Sequence, residues 1–69
     1  MKYHVVATNG EAIDVQKYAD QISNIIFDDT SEDDVTVQAD GFTIDNRLTT
    51  EELVQVNGKL AELGITVQV

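Results

Sequence analysis

The chain has 69 residues, no cysteine, and thirteen acids against four bases, for a formal net charge of −9. A chain this short is one domain, residues 1–69, with a small core, and the lack of cysteine excludes disulfides, thiolate metal sites and cysteine nucleophiles. The charge disfavours direct contact with nucleic acid or an anionic membrane; it favours cationic partners, or serves only to keep a small protein in solution. No apolar run has the length of a signal peptide or a membrane span, so a cytoplasmic protein is expected.

In chain order, Lys2 to Thr8 alternates as a strand, with Tyr3, Val5 and Ala7 on one face and Lys2, His4, Val6 and Thr8 on the other. Asn9-Gly10-Glu11 breaks the pattern, and Asp14 is placed to cap a helix running to about Phe27. Val15, Tyr18, Ala19, Ile22, Ile25 and Ile26 recur at helical spacing, and Ile13 and Tyr18 suit a hydrophobic staple. Residues 28–34, Asp-Asp-Thr-Ser-Glu-Asp-Asp, hold no apolar side chain and are expected as an exposed loop.

Residues 34–46 alternate apolar and polar on both sides of Asp40-Gly41, which predicts a β-hairpin turning at that pair. Thr49 with Glu52 forms a capping box at the start of a second helix, backed by Leu48 and Leu53. Leu53, Val56, Leu60 and Leu63 are its buried stripe, and Gly58 weakens its middle by about 1 kcal/mol relative to alanine. Gly64 is suited to end it in the left-handed conformation, before a last strand from Ile65 to Val69.

The order is strand, helix, strand, strand, helix, strand, and the segments Val35 to Ala39 and Ile65 to Val69 echo one another after each helix. Two such halves interleave as an α+β, ferredoxin-like βαββαβ plan: a four-stranded antiparallel sheet of order 4-1-3-2 with two helices on one face. The inward set is then Tyr3, Val5, Ala7, Val35, Val37, Ala39, Phe42, Ile44, Ile65, Val67 and Val69.

That plan gathers Asp28, Asp29, Glu32, Asp33, Asp34, Asp45, Glu51 and Glu52 at one end, opposed by Lys2, Arg47 and the amino terminus. An acidic pole is the expected partner site, and it faces a protein with a basic surface. Other chemistry finds little support. The acidic loop has no glycine where an EF-hand turn needs one, so a solvated loop is favoured over a cation site. His4 has no obvious carboxylate partner along its strand, Lys17 and Lys59 look like solvated helix positions, and no cofactor motif is present. The open sheet face carries no aromatic residue to stack bases, which argues against an RNA reader.

The edges differ in composition. Asp34 and Asp40 bracket the second strand and discourage further pairing, whereas Ile65 to Val69 carries no charged side chain and suits a homodimer across a two-fold axis. The reading that follows is a non-enzymatic acidic adaptor or structural domain, binding a protein partner through its pole or an open sheet edge. A nucleic-acid mimic that inhibits a DNA- or RNA-handling protein is the alternative, and a divalent-cation-binding regulator the further one.

Overall fold

The predicted elements form in the predicted order. The computed structural model describes residues 1–68. They comprise β1 (Lys2–Ala7), α1 (Ala19–Thr30) preceded by a 3₁₀ turn at Val15–Tyr18, β2 (Thr36–Gln38), β3 (Gly41–Thr43), α2 (Thr50–Leu60) extended by a 3₁₀ turn at Ala61–Leu63, and β4 (Ile65–Gln68). Every pairing is antiparallel, in one sheet of order β2-β3-β1-β4. This is the expected order read from the opposite edge.

The core is the meeting of one sheet face with both helices. Val5, Phe42, Ile44, Ile65 and Val67 from the sheet side pack with Ile22 and Ile26 of α1 and Val56 and Leu60 of α2. Val15 and Leu48 close the cluster at the segments that lead into the helices. No polar or charged residue is buried among the described residues, so burial of apolar surface, at about 25 cal/mol per Å², carries most of the stability. Of the expected inward set, Tyr3, Val35 and Val37 are half-buried against this cluster, and Ala7 is half-buried. Ala39 is exposed in the hairpin turn, and Val69 lies outside the described residues.

The hairpin turns one residue earlier than the Asp-Gly pair suggests. Gln38 pairs with Gly41, so the two-residue loop is Ala39-Asp40 and Gly41 is the first residue of β3. Neither loop residue has a positive φ. The glycine is needed for a different reason: a Cβ there would sit 1.9 Å from the Tyr3 carbonyl oxygen. Gly41 thus permits β3 to lie against β1, where Tyr3 pairs with Phe42 and their rings stack with centroids 5.3 Å apart.

The first helix also differs at both ends. Asp14 caps as expected, its side chain accepting from the Gln16 amide at 3.2 Å, but it opens a 3₁₀ turn before the α-helix begins. In that turn the Val15 N–H is drawn to the Ala39 carbonyl at 3.0 Å, which ties the helix start to the hairpin. At the other end α1 continues past Phe27 to Thr30, because Ser31 takes the left-handed conformation at φ 62° and donates its N–H to the Phe27 carbonyl. Asp28 and Asp29 therefore belong to the last helical turn and not to the loop. The second helix follows expectation, with the Thr49–Glu52 capping box complete and Gly64 left-handed at φ 77°.

Candidate functional site

The acidic end is assembled by three backbone and side-chain contacts between segments distant in sequence. The Met1 amino group donates to the Ile44 carbonyl at 2.6 Å, and the Ile44 amide donates to the Met1 carbonyl at 3.0 Å. These bonds set the end of β3 beside the start of β1. The Asn46 side-chain amide then donates to the Glu32 carboxylate at 2.6 Å, joining the loop after α1 to the loop after β3. Two acidic segments meet there, Glu32-Asp33-Asp34 and Asp45, with α2 and its Glu51 and Glu52 beginning just beyond.

Not every acid of that set is equally available. Glu52 accepts from the Thr49 amide at 2.9 Å to close the capping box, and Glu32 is held by Asn46. Asp29 turns toward α2, where Lys59 Nζ lies 2.7 Å from Oδ1 and the side chain keeps only 10% exposure. Its Oδ2 is buried without a hydrogen-bond partner. The Asp29 hydrogen bond, aided by the nearby Asp28 and Glu62 charges, holds the Lys59 ammonium above the ordinary lysine range against the pull of desolvation. Lys59 is thus a paired residue and not a freely solvated one. Asp28, Asp33, Asp34, Asp45 and Glu51 remain exposed with no ion pair among the described residues.

The cations are distributed differently from the linear expectation. Lys2 does not oppose the pole; its Nζ lies 2.7 Å from Asp40 Oδ1 beside the hairpin turn. That hydrogen bond holds the Asp40 carboxyl below the usual carboxylate range, with desolvation acting the other way. His4 does find a carboxylate, since its Nδ1 is 3.7 Å from Asp40 Oδ2 across the sheet. At that distance it is a loose pairing and not a hydrogen bond. Arg47, which is exposed, and the Met1 amino group are the cations left at the pole.

Among the described residues no three of His, Cys, Asp and Glu converge as a ligand set. A shallow groove between the helices is lined by Gln21, Asn24, Ile25, Lys59, Glu62 and Leu63. No helix among the described residues is long and apolar enough to cross a membrane.

The two edges of the sheet differ in their backbone groups. Asn57, inside α2, accepts at Oδ1 from the Val67 amide at 2.9 Å and lies 3.3 Å from the Thr66 hydroxyl. One outward amide of β4, that of Val67, is therefore already taken. Nothing in the apolar pattern marks Asn57, and the one available signal is that asparagine is a poor choice inside a helix unless its side chain has a backbone group to serve. Tyr3 escapes the pattern likewise: its hydroxyl accepts from the Leu48 amide at 2.9 Å and so fixes the segment leading into α2.

Comparison with known proteins gives no relative: no family model, no curated protein and no solved structure matches this chain.

Proposed function

We propose that this chain is a non-enzymatic interaction domain of ferredoxin-like plan that binds a protein partner with a basic surface at its acidic end. The observation that carries the reading is the Asn46–Glu32 hydrogen bond, which joins two acidic segments and leaves Asp33, Asp34, Asp45 and Glu51 exposed, with Arg47 and the Met1 amino group as the cations nearby. Like charges held side by side repel, and a cationic partner relieves that repulsion as well as adding its own attraction. The strand order and the packing of both helices on one sheet face support the ferredoxin-like plan.

Exposed pairs of this kind contribute about 0.2 to 1 kcal/mol each, so the pole serves to steer and orient more than to hold. A mimic of nucleic acid needs a continuous row of free carboxylates, and tying Asp29, Glu32 and Glu52 into intramolecular bonds shortens any such row. We therefore favour a basic protein surface over a nucleic-acid-binding groove as the counterpart.

The test is capture of partners on the immobilised protein, compared with the triple variant Asp33→Lys, Asp34→Lys, Asp45→Lys, in low and high salt. These three side chains are exposed and bond to nothing else described, so the variant should fold. A partner retained by the native protein in low salt, and lost with the variant or in high salt, is the expected result. Equal capture by both proteins would remove the pole as the site, and release of the partner by added DNA or RNA would favour the mimic.

A further inference from the structure

The hydrogen-bond phase of the sheet shows which edge is open. Met1 and Ile44 exchange backbone bonds, and the Val5 amide donates to the Asp40 carbonyl at 3.0 Å. By alternation, Phe42 faces β1 while Gly41 and Thr43 face β2. Thr36 and Gln38 then turn their backbone groups inward to β3, and Val37 turns both of its own outward. Neither has a hydrogen-bond partner among the described residues. The Ala39 end of this edge is closed, since its carbonyl accepts from Val15. The other end runs through Val35 to the exposed Asp34 and Asp33.

The opposite edge is unlike it. On β4 the alternation turns Ile65 and Val67 outward, and the amide of Val67 is occupied by Asn57. An added strand would have to displace a side chain from β4 but not from β2.

We infer that the outward edge of β2 docks an extended, lysine- and arginine-rich segment of a partner protein, added as a fifth strand with its cations set against Asp33 and Asp34. This rests on the reading of the chain as an acidic domain with a basic partner, and it names the shape of the partner and where its backbone sits. Charge decides between occupants. A second copy pairing through β2 across a two-fold axis centred on Val37 would set Asp34 of each copy opposite Asp40 of the other, placing acid against acid at both ends. A basic strand at the open end instead meets Asp34 and Asp33 with opposite charge, whereas Asp40 is turned to Lys2 and His4 of β1. Backbone bonds at Val37 supply the hold that a charged pole alone lacks, and the flanking acids choose the partner.

The test uses the full chain labelled with ¹⁵N and two capped peptides, Lys-Val-Lys-Val-Lys and the same sequence with its backbone nitrogens methylated. Both peptides carry the same charge, but the methylated one cannot donate to a strand ladder. The expected result is that the first peptide slows exchange of the Val37 amide by about tenfold or more and leaves Val67 unchanged, while the methylated peptide binds about tenfold more weakly. The pair Asp33→Lys, Asp34→Lys should weaken the first peptide as well. If both peptides bind equally and disturb only the acidic loops, the strand-addition inference falls while the pole stands. If neither binds in low salt, both fall. Protection that appears at Val67 and not at Val37 would place the strand on the wrong edge and overturn the inference.

Discussion

Asn57 in α2 and Val67 in β4 are joined by a 2.9 Å hydrogen bond from the strand's amide to the helix's side-chain oxygen. One contact thereby docks the helix on the sheet and occupies an outward donor of an edge strand with no charged side chain. Asn57→Ala should destabilise the fold by about 1 kcal/mol, measured by urea denaturation. It should also make the protein associate as concentration rises, measured by sedimentation, because the freed edge becomes available for pairing. A variant that is as stable and as monomeric as the native chain would show that the contact contributes neither effect.

Two glycines should respond in opposite directions to the same change. Gly41→Ala places a methyl group 1.9 Å from a backbone oxygen that cannot rotate away, and separating β3 from β1 should cost about 3 kcal/mol or more. Gly58→Ala meets nothing within 4 Å, and should stabilise the protein by about 0.5 to 1 kcal/mol through helix propensity. Melting temperatures of the two variants give the comparison directly. A mild Gly41→Ala would mean that the hairpin is not fixed against β1.

Tyr3→Phe removes the acceptor of the Leu48 amide while keeping the ring that stacks on Phe42. A loss of about 1 kcal/mol is expected, with faster exchange at the Leu48 amide and little change at Val5. Uniformly faster exchange would instead mean that the hydroxyl supports the whole sheet.

The two shifted groups act at opposite ends of the pH scale. Asp40 titrates below its ordinary range when folded, so its contribution is complete above the unfolded aspartate pKa and is lost as pH falls through the lower, folded value. Lys59 titrates above its ordinary range. Its contribution is complete below the unfolded lysine pKa and is lost as pH rises through the higher, folded one. Asp40→Asn should therefore flatten the acid limb of a stability profile, and Lys59→Met the alkaline limb. Lys59→Met should also destabilise the fold more than Lys17→Met does near neutral pH, since it leaves the nearly buried Asp29 carboxylate without its counter-ion. Acid and alkaline limbs unchanged in the variants would remove these pairs as the cause.

The apolar periodicity and the cap chemistry determined most of the architecture without help from the fold. Ile22, Ile26, Val56 and Leu60 fall on helical stripes, Thr49 and Glu52 cap within one turn, and Gly64 ends α2 in the conformation that glycine tolerates best. These features depend on neighbours within a turn, so they can be read from a linear sequence. The strand order followed as well, because short connections leave few ways to interleave two such halves.

Tertiary structure decided what lies between elements distant in sequence. It moved the hairpin turn to Ala39-Asp40, because the close approach of Tyr3, and not the turn, demands the glycine. It sent Lys2 to Asp40, away from the pole it was expected to oppose, and Lys59 to Asp29, out of the solvated role that a linear sequence suggests. It also occupied the outward amide of Val67 in β4 through Asn57 and left both backbone groups of Val37 without a partner among the described residues. Each of these depends on a donor meeting an acceptor across the fold, and the outward or inward sense of a strand's amides is set only once its neighbour is in place.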